Sequence, residues 1–444
     1  MASVLISIGT VVQNIFSVFN GMGGYLPPGT WIVLTVMLVV GIIVGISLYV
    51  SKQPTINSTL ASQLALYQAP YDSLSTSRRG VDEYLARPEV QASQGNWVLL
   101  NFAPLTLMNA GYAGPYMNGV YDPQTIRQAL DLGFRTFKFH IDFYTGPNKK
   151  DFGAVAGEPC LLHRDDNGII RSLNAGRLSE MIAALDEQAF SPSLPTGNDP
   201  LIVILDFKNT PDPVQTPELY KSFLSTVSKQ IQPLQRTLLT QLGESYFNNL
   251  QNQNLLFTQN FQSLRKKTLI FTNADTTCFT KATTAPKSPD NLRLMIHAQL
   301  YTMDGGSAAG MTPPDTVTQA APSGTQMAIG KQAPSYYLNT PETQLTAMQN
   351  KTNNTYALVD PGSQNVSGAN NNTLMTTYGV QIIPFFLYNT SAETLAMFKS
   401  WGPYSWKLKP AALQYIVVKT VPPAKLSQAA NAQGGNVSPP ALHL

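Results

Sequence analysis

Acid–base and nucleophilic chemistry in this chain of 444 residues has few side chains to draw on, because the sequence holds only four histidines and two cysteines. His140 lies in TFKFHIDFY, His163 closes PCLLH, His297 sits inside NLRLMIHAQLY and His443 belongs to the C-terminal tail. Histidine is the side chain that gains and loses a proton near neutral pH, so proton transfer would run through one of these imidazoles. His297, embedded in an apolar run, reads as a core histidine rather than a catalyst. Asp206, near the end of LIVILDFKN, reads as the anchor of a strand end. Cys160 and Cys278 are too few for a disulfide scaffold or a thiolate zinc finger; they form one bridge or stay as thiols. The motifs G-x-x-x-x-G-K-[ST], G-x-G-x-x-G and H-E-x-x-H are absent, so nucleotide-dependent and zinc-peptidase chemistries have no support. The basic run Arg265, Lys266, Lys267 precedes a strand candidate and reads as a solvated edge.

Composition narrows the field further. Charged residues make up 12% of the chain, against about 25% in an ordinary soluble domain. With 43% apolar residues, disorder driven by high charge is excluded. The 29 basic and 26 acidic residues give a net charge of +3, too balanced for a protein whose main partner is a nucleic-acid backbone. No nucleic acid is expected as a partner, and no cofactor is implied.

The first 50 residues contain no Asp, Glu, Lys or Arg. Within them, residues 31–50 (WIVLTVMLVVGIIVGISLYV) are apolar except for Thr35, Ser47 and Tyr49. Such a helix spans roughly 30 Å, the thickness of a bilayer's hydrocarbon core. Trp31 and Tyr49 mark its ends and Lys52 can snorkel just beyond, so a single transmembrane helix is predicted. Residues 1–30 place Val4, Leu5, Ile8, Val11, Val12, Ile15, Phe16 and Phe19 at helical spacing, which predicts an amphipathic segment lying on a bilayer or on a partner protein. Lys52 after the span favours a cytoplasmic side for the C-terminal bulk. Residues 51–96 read as a polar tether with a short helix at 81–86.

From residue 97 onward, short apolar runs alternate with helical stretches. Strands are expected at 97–102, 136–144, 159–163, 201–207, 268–273, 294–301, 380–388 and 413–419. Helices are expected from Pro123, at a first helical turn, to Gly133 and over 177–190. The aliphatic run LIVILDF has the character of a parallel strand buried on both faces. Strands interleaved with helices predict a (β/α)8 barrel, a TIM-like α/β fold. Setting aside 302–375, rich in Asn, Thr and Pro, as a long insertion, residues 97–421 match the usual barrel size of about 250 residues. Residues 422–444 form a low-complexity tail.

The order QALDLGFRTFKFHIDFY, GEPCLLHRDDNGIIRSL, RLSEMIAALDEQAF and LIVILDFKN, with the later YGVQIIPFFLY, resembles the X region of the phosphatidylinositol-specific phospholipase C-like phosphodiesterases. That family cleaves a phosphodiester with one histidine as base and a second as acid, while calcium or an arginine neutralises the phosphate. The resemblance places Leu107 or Met108 where the first histidine belongs. It aligns Asn109 with an adjacent family asparagine and His163, or its neighbours Arg164 and Asp165, with the second histidine. Where calcium-dependent members carry acidic ligands, this sequence has Lys138, His140 and Lys208, which cannot hold a hard cation. No metal site is therefore expected. Lys138, His140, Arg164 and Lys208 would instead converge at the C-terminal mouth of the barrel as a phosphate site.

The chain is therefore read as a degenerate member of that superfamily, a pseudoenzyme. A membrane anchor, low charge and a disarmed barrel fit a structural protein of a large assembly whose partners are the lipid bilayer and neighbouring structural proteins. A minor capsid protein tying a virion's inner membrane to its shell is the expected case. The alternative is a metal-independent phosphodiesterase or phosphoinositide-binding module.

Overall fold

Residues Leu201–Phe207 are buried without exception, as a strand covered on both faces must be. In the computed structural model this strand is β3 of eight parallel strands: β1 (Thr106–Leu107), β2 (Thr136–Phe143), β3 (Leu201–Phe207), β4 (Thr268–Thr272), β5 (Ala298–Thr302), β6 (Ala328–Gln332), β7 (Tyr356–Val359) and β8 (Pro384–Phe385). They pair in the order β7-β6-β5-β4-β3-β2-β1-β8. The ring closes beside β8, where Val359 N donates to Ile382 O at 2.9 Å and Ile382 N to Ala357 O at 2.9 Å. The result is a nearly closed parallel barrel flanked by helices, the TIM-like architecture. The structure describes residues 78–417 except 115–116, 147–151, 166, 235–236, 238–254, 280–289, 303–327, 363–365 and 388–391, with a few positions before 78.

The chain divides into two compact units, Met1–Ser58 and Thr59–Leu444. The predicted amphipathic segment, nearly all of the predicted span and the tail lie outside the described residues. Among the described residues no helix is long and apolar enough to cross a membrane.

The helices follow from caps and spacing. Helix α1 (Pro123–Asp131) starts with Asp122 Oδ1 accepting from Gln124 N at 2.8 Å and with Pro123 in its first turn. It stops before Gly133, whose φ of +85° suits a residue without a Cβ. Helices α2 (Leu178–Gln188) and α3 (Pro217–Ile231) turn apolar faces to the sheet, Met181, Ile182 and Leu185 from one, Phe223, Leu224 and Val227 from the other. Strands β1 to β3 are each followed by one of these helices, the kind of long connection that neighbouring parallel strands need.

Four sequence expectations are corrected. Residues 97–102 are not a barrel strand: Leu99–Asn101 form a 3-10 turn and the first barrel strand is β1. Pro159–Leu161 is a strand, but it pairs antiparallel with the end of β2, Ile141 facing Leu161, and stands outside the barrel ring. The stretch 302–375 is no mere insertion, since β6, β7, α4 (Leu345–Asn354) and α5 (Gly368–Thr376) all come from it. The expected strand at 413–419 is absent among its described residues; Ala411–Leu413 is a 3-10 turn, and the strand nearby is Trp406–Leu408. The two cysteines are both free thiols.

Side chains alternate along strands with a period of two, which fixes what faces the barrel axis. Ile202 and Ile204 of β3, Leu269 and Phe271 of β4, Leu300 of β5, Ile329 of β6 and Leu358 of β7 join one apolar cluster. Two residues beyond Ile204, Ile329 and Leu358 on the same strand faces come Asp206, Lys331 and Asp360. The barrel interior thus changes from apolar to charged toward the C-terminal ends of its strands.

At the opposite end, Phe102–Pro104 pairs antiparallel with Trp406–Leu408. Phe102 stacks on Phe261 with ring centroids 4.0 Å apart and forms the floor. Asp199 anchors the entering chain there, its Oδ1 accepting from Val81 N at 2.8 Å. Arg135 donates to the carbonyls of Ala189 and Asp199, both at 2.7 Å. Burial pushes the Asp199 carboxyl up to about 7, against the pull of Arg135 and the Val81 N–H. A folded value above the unfolded one means that the carboxylate weakens the fold as pH rises from about 4 to 7, with the full penalty above that. Asp199→Asn keeps an acceptor for Val81 but loses the attraction to Arg135. A gain of about 1–2 kcal/mol is expected above neutral pH and none near pH 4. Thermal unfolding across that range checks this, and lower stability than the parent at alkaline pH would refute it.

Candidate functional site

The residues at the barrel mouth come from four strand ends far apart in sequence, Lys138 and His140, Asp206 and Lys208, Lys331, and Asp360. In the parallel register of β2 and β3, His140 lies opposite Asp206 and Lys138 opposite Ile204. Lys138 Nζ is 2.7 Å from Asp206 Oδ2 and 3.4 Å from Asp360 Oδ1. Lys208 Nζ is 2.8 Å from Asp206 Oδ2 and 3.8 Å from Asp360 Oδ2. Lys331 Nζ is 2.8 Å from Asp360 Oδ2 and 3.6 Å from Asp206 Oδ1. His140 Nε2 stands 3.8 Å from Asp206 Oδ2. The side chains of Lys138 and Asp206 are fully buried, while those of Lys208 and Lys331 remain 35% and 25% exposed.

Burial alone would push the Asp206 carboxyl up. The three ammonium groups around it outweigh burial and hold it well below the usual carboxylate range. The same balance depresses Asp360. Burial lowers Lys138 despite Asp206 and Asp360, whereas at the less buried Lys331 the two carboxylates win and raise it. Burial, then Lys208 and Lys138, push His140 far below its ordinary value, so its ring is neutral at pH 7. Three ammonium groups against two carboxylates leave one positive charge in excess.

This donor set does not fit calcium. A calcium ion needs six to eight oxygen ligands, carboxylates prominent among them, and here every oxygen of Asp206 and Asp360 already faces an ammonium group within 4 Å. Among the described residues no group of three or more His, Cys, Asp and Glu side chains could hold a metal ion.

A second group of side chains lies beside the first. After β1 the chain turns through Asn109, with φ of +50°, a region that asparagine tolerates better than most residues. Asn109 Nδ2 lies 3.3 Å from His163 Nδ1, and the Tyr121 hydroxyl donates to Asn109 Oδ1 at 2.6 Å. The two residues singled out as vestigial catalytic candidates, Asn109 and His163, are thus brought into contact. Leu107 and Met108, at the end of β1 and just after it, are buried and apolar.

Of the four residues expected to form a phosphate site, Lys138, His140 and Lys208 converge. Arg164 pairs elsewhere. Its guanidinium makes a two-pronged pair with Asp142, Nε to Oδ2 at 2.6 Å and Nη2 to Oδ1 at 3.0 Å, and forms no ion pair with the lysine network. The hydrogen bond to Asp142 raises the Arg164 pKa further. His297 is a core histidine as expected, accepting from Ile270 N at 2.9 Å with burial lowering its pKa to about 3. Sequence reasoning missed Lys331 and Asp360 and gave Asp206 too small a part. A signal existed: YALVD repeats the pattern of LIVILD, an apolar strand ending in Asp.

No protein-family model matches the sequence, and no curated protein does. Solved structures do. It is similar to phospholipase C barrels. The PLC21 structures of L. pealei and S. officinalis, both 13% identical, align with TM-scores of 0.44 and 0.45 and cover 71% and 76% of this chain. This chain spans only 38% and 42% of their length. A calcium-dependent phosphoinositol-specific phospholipase C from Pseudomonas sp, in its myoinositol complex, is 13% identical with a TM-score of 0.38, covering 71% of this chain and 97% of its own. At such identities the chemistry rests on this chain's own side chains.

Proposed function

We propose that the barrel is a non-catalytic scaffold and that its mouth is occupied by an ion-pair network instead of a catalytic centre. The observation that carries this reading is the engagement of both carboxylates, Asp206 and Asp360, by the ammonium groups of Lys138, Lys208 and Lys331. Concerted phosphodiester cleavage needs a base and an acid, and losing one proton-transfer partner costs about 10²–10⁴ in rate. The end of β1 and the loop after it offer Leu107, Met108 and Asn109 where a base would be needed, and His140, whose Nε2 stands 3.8 Å from Asp206 Oδ2, is held as a neutral imidazole by burial and by the charges of Lys208 and Lys138.

With the apolar run at 31–50 and the low charge of the chain, this reading extends to a membrane-anchored structural component of a large assembly, such as a virion protein linking an inner membrane to a capsid shell. That extension is supported by sequence alone. Purified full-length protein is expected to turn over neither phosphatidylinositol nor glycerophosphodiesters, with or without calcium. Turnover above the blank that disappears in His163→Ala would overturn the reading.

One observation favours a second reading, a phosphate-binding module. The network carries an excess positive charge, and its two outer lysines, Lys208 and Lys331, stay partly exposed. A soluble inositol phosphate would then bind through charge-assisted hydrogen bonds, each contributing about 1.5–3 kcal/mol. Lys208→Ala is expected to weaken that binding about tenfold or more in a calorimetric titration. Absence of binding in the parent, or unchanged affinity in the variant, would reject the second reading and leave the scaffold reading untouched.

A further inference from the structure

Beside the charged network, three buried side chains form a hydrogen-bonded chain, Tyr121, Asn109 and His163, whose bonding neither reading draws on. The Tyr121 hydroxyl donates to Asn109 Oδ1 at 2.6 Å, and Asn109 Nδ2 faces His163 Nδ1 at 3.3 Å. A carboxamide has an oxygen that only accepts and a nitrogen that only donates. With its oxygen taken by the hydroxyl, Asn109 offers His163 only an N–H, and a ring nitrogen that accepts an N–H carries no proton itself. In a neutral imidazole the proton then sits on the other nitrogen, Nε2.

The surroundings hold this arrangement in place. Asn109 O accepts from Tyr112 N at 3.1 Å, and the next residue, Ala110, donates its N–H to Lys138 O at 2.8 Å, tying the turn to β2. Tyr121 is fixed through its backbone, its N donating to Asn174 Oδ1 at 2.7 Å and its O accepting from Asn174 Nδ2 at 3.0 Å. The Tyr112 ring lies 4.7 Å from the His163 ring, centroid to centroid, and limits its rotation.

We propose that Tyr121 and Asn109 are positioning residues that lock His163 as the Nε2–H tautomer, making it a fixed hydrogen-bond donor suited to an anionic oxygen and unable to act as a general base through Nε2. The tautomer belongs to the ligand-free protein, so this inference stands or falls independently of both functional readings.

The test is the long-range proton–nitrogen spectrum of the full-length, 15N-histidine-labelled protein in detergent at neutral pH, with the His163 signals identified by their loss in His163→Gln. An unprotonated Nδ1 and a protonated Nε2 are expected for His163; a protonated Nδ1 overturns the proposal. Tyr121→Phe frees the amide to turn over and is expected to populate the Nδ1–H form. An unchanged tautomer there removes Tyr121 from the relay and overturns the proposal as stated. Asn109→Asp, which presents only acceptors, is expected to switch His163 to Nδ1–H, and failure to switch likewise counts against it. Should either variant fail to fold, the parent spectrum alone still decides the tautomer.

Discussion

Asp206→Asn is expected to destabilise the protein by about 3–5 kcal/mol, the usual consequence of removing one partner of a buried ionic network. Asp206 is fully buried and lies within 4 Å of Lys138, Lys208 and Lys331. Once its charge is gone, three ammonium groups share Asp360, and Lys138 Nζ, with no solvent exposure, keeps a single carboxylate contact at 3.4 Å. Asparagine fills the same space, so the loss is electrostatic rather than steric. Chemical denaturation of parent and variant measures it. A loss below about 1 kcal/mol would mean that the network does not hold the mouth together.

The same residues set the acid limit of the parent. Asp206 and Asp360 both titrate below their unfolded values. Their contribution is therefore complete above the ordinary carboxylate value of about 4 and is lost as pH falls toward the lower folded values. Asp206→Asn is expected to flatten that acid-side decline.

The second large effect has the opposite sign. Lys409→Met is expected to stabilise the protein by about 2–4 kcal/mol at neutral pH. The Lys409 side chain is buried, and its Nζ donates to Thr352 O at 3.1 Å with no carboxylate beside it. Burial alone lowers its pKa to about 7. Between that value and the unfolded 10.5 the unfolded chain binds the extra proton, so parent stability rises with pH across this window. Methionine keeps the apolar stem and removes the charge, and Thr352 O still accepts from Gln381 Nε2 at 3.3 Å. The gain should therefore shrink as pH approaches 10, where the lysine is neutral in the fold. Denaturation curves at both ends of the window test this; a gain that does not depend on pH would show that packing, not charge, is responsible.

Much of the barrel was legible in the sequence because its longer strands carry their own signal. LIVILDF is a continuous aliphatic run with the character of a strand buried on both faces, TFKFHIDF alternates with aromatics as a strand does, and Pro123 and Gly133 delimit α1 by backbone chemistry alone. Strands β1 and β8 are two residues long, too short for any periodicity to mark them. Strands β6 and β7 were hidden by the Asn- and Thr-rich residues around them. Propensity is a local property, and those strands owe their pairing to neighbours on the sheet.

The sequence by itself determined that no histidine lies between residues 97 and 121, that Lys138 and His140 belong to one strand segment and Lys208 directly follows another, and that an apolar run of bilayer length precedes the barrel. These are matters of residue type and order. Only the tertiary structure decided what those residues do to one another. Asp206 and Asp360, 154 positions apart in the numbering, meet the same three lysines. Arg164, expected among them, pairs with Asp142 instead. Charge interactions fall off over a few ångströms and depend on burial. Closing the barrel brings these strand ends to one mouth, and that closure turns a set of basic residues into an ion-pair network with one positive charge in excess.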